Sequence, residues 1–237
     1  MEFTELLQKR TSVRSYTGEN ISGEQITEIL GAAVRAPNAC NFQSWHFYAV
    51  CDREKIKAVH PDIAFIPWIN DIPLMIVICT DENIAGALQT KFGSERGRMF
   101  AYQDAAGAAN HILLKAADMG LGGCWIGPMD TEKCKEHFSI SDDHTPVAII
   151  TIGVPSSDMP ARQRKPLGEA VTVIGGIDCQ IPSQSKPFTL SNASLKGAVF
   201  ENLNLTDASF KNVKLKNAVF DGCDIRGLVI NGEEIGK

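Results

Sequence analysis

The chain has 237 residues, 44% of them hydrophobic, and a formal net charge of −5, which suits one large domain or a domain with an appendage. The charge balance leaves no basic field for nucleic acid or an anionic membrane, no run has the length of a transmembrane span, and the opening Met1–Glu5 lacks a signal-peptide pattern. Seven cysteines without a C-x-x-C pair argue against a disulfide scaffold, a zinc ribbon or an iron–sulfur motif, and point to reduced thiols in a cytoplasmic protein.

Residues 3–9 carry an amphipathic helical pattern through Phe3, Leu6 and Leu7. Ser22-Gly23-Glu24-Gln25 reads as a capping box; the helix it opens places Ile26, Ile29, Leu30 and Val34 on one face and stops before Pro37. Residues 45–51 read as a strand, and Asp52 as the cap of a short helix over 53–59. Residues 61–73 read as a loop with an exposed Trp68. The unbroken apolar run 74–79 predicts a strand buried on both faces. Residues 81–97 give no clear assignment. From about 100 to 119, Ala105, Ala109, Ile112, Leu113 and Ala116 recur at helical spacing, ended by Gly120. A short strand at 122–126, a helix capped by Asp130 and running to about 138, and a buried strand over 146–153 complete an α+β order.

Four stretches carry the candidate chemistry. Arg10-Thr11-Ser12-Val13-Arg14 sets two guanidinium groups four residues apart with two hydroxyls between them, a donor set suited to a phosphate or an electron-poor ring oxygen. Residues 35–45 contain Pro37-Asn38-Ala39-Cys40-Asn41, which by itself is also a helix stop leading into an edge strand. Residues 120–127 end in Trp125-Ile126-Gly127, otherwise a glycine turn into a core strand. Arg162-Gln163-Arg164-Lys165 is otherwise a solvated charge run. The five histidines are scattered without ligand spacing, and no metal site is expected. No Ser-His-Asp, Cys-His or paired-carboxylate arrangement is evident, and no G-x-G-x-x-G follows a strand.

In identity and order these stretches resemble the FMN-dependent nitroreductase family over residues 1–170. The resemblance implies an antiparallel-rich sheet wrapped by helices in an intertwined homodimer. It implies one FMN per site, with Arg10, Thr11 and Ser12 at the phosphate and the ring edge, and Arg14 as the cation beside N1 and O2. Arg162 and Arg164 form the second phosphate clamp. Pro37, Asn38, Ala39 and Asn41 reach the flavin from the other subunit, and the backbone of Trp125, Ile126 and Gly127 faces N5 and O4. This sequence has Asn38 where serine is usual and Ser44 where proline is usual before Trp45. No protein side chain is expected to be catalytic, because the flavin carries the chemistry. NADH or NADPH would deliver hydride to N5 and leave, and a small oxidant, a nitroaromatic or quinone, would follow in ping-pong order. A flavin-fragmenting or dehalogenating enzyme of the same fold is the alternative within the family.

After Lys165 the composition changes. Residues 171–187 read as a linker or arm. From there Leu190, Leu195, Phe200, Leu205, Phe210, Leu215, Phe220, Ile225 and Ile230 recur every fifth residue, each preceded two positions earlier by another apolar residue. Neither a helix nor a strand has that period. It resembles the pentapeptide-repeat family and implies a short right-handed β-helix over 188–231, of about two coils. Residues 187–237 hold six Lys/Arg and six Asp/Glu, a net charge of zero, which argues against nucleic-acid mimicry and leaves a binding or assembly role as the reading from a different class.

Overall fold

A computed structural model describes residues 2–157, 159–160, 162–174, 229–230 and 233–234. The chain divides into two units, Met1–Ala170 and Val171–Lys237. Most of the predicted linker and nearly all of the predicted β-helix lie outside the described residues. Within the second unit, β5 (Val229–Ile230) pairs antiparallel with β6 (Glu233–Glu234).

The first unit is built on a four-stranded, wholly antiparallel sheet in the order β1-β2-β4-β3. Its strands are β1 (Trp45–Val50), β2 (Leu74–Asp81), β3 (Gly122–Ile126) and β4 (His144–Gly153). The helices are α1 (Phe3–Lys9), α2 (Gly23–Ala33), α3 (Arg53–Lys57), α4 (Glu82–Phe92), α5 (Ser94–Asp118), α6 (Thr131–Phe138) and α7 (Leu167–Ala170). The expected α+β class and antiparallel sheet are therefore present.

β2 explains why its sequence reads as an unbroken apolar run. Successive side chains of a strand point to opposite faces, and both faces of β2 are covered. Met75, Val77 and Cys79 enter one apolar cluster with Ile56, Ile66, Phe138 and Ile149. Leu74, Ile76 and Ile78 enter another with Ile29, Ala105, Ile112 and Ile150. Fully burying each such aliphatic side chain contributes about 1.5–3 kcal/mol, so β2 is the spine on which both layers of helices are held.

The second layer depends on α5. Ala101, Ala105, Ala108, Ala109 and Ala116 are buried along it, and their small side chains let the helix lie close to the sheet and to α2. Its end is a Schellman turn: Gly120 takes φ +75, Gly120 N–H donates to Ala117 O at 3.1 Å and Leu121 N–H to Ala116 O at 2.8 Å. The predicted capping box at Ser22 is present in both directions, and Asp52 and Asp130 cap α3 and α6 as expected.

Three expectations need correction. α5 begins at Ser94, not near 100, and the unassigned stretch holds α4, capped by Asp81. The interior Gly97 hid this, because glycine disfavours helix; here a Cβ at Gly97 would overlap the backbone of Leu88 and Gln89, so its absence lets the two helices touch. The third correction is Trp68. It is half-buried against the first apolar cluster, and its Nε1 is buried without a hydrogen-bond partner among the described residues. The loop around it is itself core, with Ile63, Ala64, Ile66, Ile69 and Ile72 all buried.

Candidate functional site

Arg10 ends α1, and the chain then runs extended along the edge of the sheet. Ser12 makes a parallel bridge to Gly123 of β3, Val13 N–H donates to Gly123 O at 3.0 Å, and Thr17 N–H donates to Val154 O at 2.9 Å. Val13 and Tyr16, each 5% exposed, are the anchors. The Tyr16 hydroxyl donates to Val13 O at 2.9 Å and accepts from Thr151 Oγ1 at 2.9 Å. Two glycines make room for them: a Cβ at Gly122 would lie 2.5 Å from Val13 Cγ2, and one at Gly153 would lie 2.7 Å from the Tyr16 ring. With alternate residues tied down, Arg10, Thr11, Ser12 and Arg14 are left half-buried at the surface beside β3.

The electrostatics of this corner are one-sided. Arg14 Cζ lies 5.6 Å from the centroid of the Trp68 ring, a cation–π contact. Burial pushes the Cys124 thiol up, while the neighbouring guanidinium groups of Arg14 and Arg10 pull it back. Neither Arg10 nor Arg14 forms an ion pair among the described residues. Two cations without an ion pair among the described residues, beside half-buried hydroxyls, are a donor set suited to an anion. Trp125 continues from the same strand with 41% of its surface exposed, followed by buried Ile126 and exposed Gly127. An open pocket of ≈ 390 Å³ adjoins it, lined by Tyr102, Ala106, Trp125, Thr131, Thr145 and Val147 among others.

Pro37, Asn38, Ala39 and Asn41 lie elsewhere, over α5. Ala39–Asn41 form a 3₁₀ turn, and Cys40, Asn41 and Gln43 have φ of 51, 58 and 56. Each left-handed residue other than glycine costs on the order of 1 kcal/mol, so the turn is held from outside. Asp104 Oδ1 accepts Ala39 N–H at 2.8 Å and Oδ2 accepts the Ser44 hydroxyl at 2.8 Å. No hydrogen bond joins this loop to residues 10–14 among the described residues. Arg162 and Arg164 are exposed in the stretch before α7 and make no hydrogen bond or ion pair among the described residues. The backbone bridge at Ser12 and Gly123 thus brings residues 10–14 onto the strand that leads to 125–127, while no hydrogen bond among the described residues ties 37–41, 162 or 164 to residues 10–14.

Sequence reasoning missed Asp104, Trp68 and Tyr16. Only Asp104 carried a signal, as a carboxylate at a helical position flanked by the buried Ala101, Ala105 and Ala108.

Fold and site define an α+β protein with two arginines and two hydroxyls, half-buried, at the edge of an antiparallel sheet. The sequence profile of the nitroreductase family matches residues 7–67 and 65–154, and that of the pentapeptide repeats matches eight copies over residues 189–227. A protein of Methanothermobacter thermautotrophicus with the provisional name NADH dehydrogenase/NAD(P)H nitroreductase is 32% identical over 165 residues, covering 67% of this chain and 80% of that protein. The crystal structure of a nitroreductase family protein from Streptococcus pneumoniae superposes with a TM-score of 0.67 at 21% identity, covering 73% of this chain and all (100%) of that one. The NfrA1 nitroreductase of Bacillus subtilis superposes with a TM-score of 0.65 at 23% identity, covering 72% and 73%. The chain belongs to the nitroreductase family and carries pentapeptide repeats behind the family domain.

Proposed function

We propose that the chain is a cytoplasmic, FMN-dependent NAD(P)H oxidoreductase that reduces a small oxidant, a nitroaromatic or a quinone, in ping-pong order as a homodimer. The observation that carries the reading is the pair of guanidinium groups, Arg10 and Arg14, without an ion pair among the described residues and carried beside β3 by the stapled segment 11–16. Family membership supports it, as does the NADH and NAD(P)H in the relative's name.

The residues fit an anionic flavin. Its isoalloxazine would supply the two-electron chemistry between nicotinamide and oxidant. Arg14, braced by Trp68, would lie at the pyrimidine edge and favour negative charge there. Arg10, Thr11 and Ser12, with Arg162 and Arg164, would hold the phosphate. Backbone N–H groups at Trp125, Ile126 and Gly127 would face the central ring. Pro37, Asn38, Ala39 and Asn41 would complete the site of a second copy.

The absorbance spectrum of the purified protein tests this, followed by anaerobic addition of NADH or NADPH. A flavin spectrum that bleaches on addition and returns with a nitroaromatic or quinone is expected. A colourless protein that takes up no added FMN overturns the reading.

A further inference from the structure

We propose that Asp104 is a positioning residue for the loop 37–43, holding it in the conformation that a bound flavin meets; this rests on the flavin reading above. Asp104 is 3% exposed, on a stretch of α5 otherwise lined by buried alanines. Its two carboxylate oxygens are divided between the two ends of the loop, one on Ala39 N–H and one on the Ser44 hydroxyl, each at 2.8 Å. No cation pairs with it among the described residues, so these donors alone compensate a buried charge. Hydrogen bonds to an ionised acceptor are stronger than neutral ones, and losing one leaves a buried group unsatisfied.

The loop needs such a clamp. Cys40, Asn41 and Gln43 sit in left-handed conformations that persist only where the surroundings impose them. Asn38 closes the loop from within, accepting Gln43 N–H at 2.9 Å and donating to Ala36 O at 3.3 Å, which occupies both ends of its amide. Asn38 therefore shapes the loop with one N–H and one lone pair of its amide. At the far end, Ser44 is fully buried, and its carbonyl accepts Asp81 N–H at 2.8 Å, tying the clamp to β2. Where proline is usual, Ser44 replaces a ring constraint with a hydroxyl aimed at Asp104. The only other hydrogen bond from the loop 37–43 to the rest of the described fold is the 3.7 Å contact of Lys91 Nζ with Cys40 Sγ.

FMN titration of the full-length apoprotein, wild type against Asp104→Leu, Asp104→Asn and Ser44→Ala, tests the proposal together with amide hydrogen exchange before FMN is added. Asp104→Leu should bind FMN about tenfold more weakly or worse, and Ser44→Ala about threefold to tenfold more weakly. Asp104→Asn should stay within about threefold of wild type, because an amide can still accept from Ala39 and donate to the Ser44 oxygen. Exchange at the Ala39 amide should quicken in Asp104→Leu and not in Asp104→Asn, with protection of β2 and β4 unchanged. A wild type that takes up no FMN overturns the flavin reading and the proposal with it. Wild-type uptake with the same affinity in every folded variant overturns the positioning role alone. Should Asp104→Leu fail to fold, unchanged affinity in Ser44→Ala has that same force.

Discussion

Trp68 lies under Arg14, with the guanidinium carbon 5.6 Å from the ring centroid. The indole comes from a loop rooted in the first apolar cluster, and the arginine from a segment stapled to β3. A long, rotatable side chain is thereby braced at one point, with its charge unpaired by a carboxylate among the described residues. Removing the charge in Arg14→Ala should weaken FMN binding or slow flavin reduction, by about 1–3 kcal/mol because Arg10 remains. FMN titration and anaerobic stopped-flow reduction measure the two effects; a variant unchanged in both would place Arg14 away from the flavin.

Gly122 backs the same segment. A Cβ there would lie 2.5–2.8 Å from three atoms of Val13. Gly122→Ala should therefore push residues 11–14 off β3, at a cost of about 1–3 kcal/mol in stability. FMN affinity should fall with it. Denaturant unfolding compared with wild type measures the first and flavin titration the second, and a variant of wild-type stability would show that the packing at Val13 is slack.

No hydrogen bond among the described residues joins the loop 37–41 to residues 10–14, and the unit exposes Phe3, Leu7, Met99 and Tyr102 at 64%, 52%, 37% and 45% of their surfaces. If each flavin takes residues from both copies, light scattering should give the mass of two chains with two FMN bound. Dilution that dissociates the dimer should release the cofactor. A single-chain mass with flavin retained would contradict the shared site.

Thiol ionisation gives a pH prediction. Burial pushes Cys79 up to about 12, with nearby Cys134 adding to the rise, and pushes Cys134 up to about 11. In the unfolded chain both thiols ionise near the ordinary value, about 8.5. The folded state then binds more protons between those limits, so this contribution to stability is intact below pH about 8.5 and is lost as pH rises towards 11–12. Urea midpoints should fall progressively over that alkaline range, and less so in Cys79→Val. At neutral pH a thiol reagent should modify exposed Cys40 and Cys51 well before buried Cys79, Cys124 and Cys134. Peptide mapping that finds Cys79 labelled first would refute the burial argument.

Much of this protein was legible in one dimension because the signals were local. Ser22, Asp52 and Asp130 cap helices through backbone groups two or three residues away, so their roles show in the sequence. The apolar run of β2 shows that both its faces are covered, since no half-exposed strand tolerates it. The repeat of period five excludes helix and strand by arithmetic alone. The arginine and hydroxyl cluster at 10–14 was visible as a donor set, because guanidinium and hydroxyl chemistry does not depend on where the chain goes.

What only the tertiary structure decided is which of these groups meet. Asp104 is an ordinary polar residue of a long helix until the fold brings Ala39 and Ser44, sixty-five and sixty residues away, onto its two oxygens. Trp68 looks like an exposed loop aromatic until its loop proves to be core and its ring passes beneath Arg14. Gly97 reads as a helix breaker, yet it is where α4 and α5 touch. Sequence pattern reports the preferences of a residue and its near neighbours along the chain. A buried carboxylate, a cation–π contact and a helix crossing are set by groups that approach through space, and their energies depend on distance and burial that no local pattern encodes.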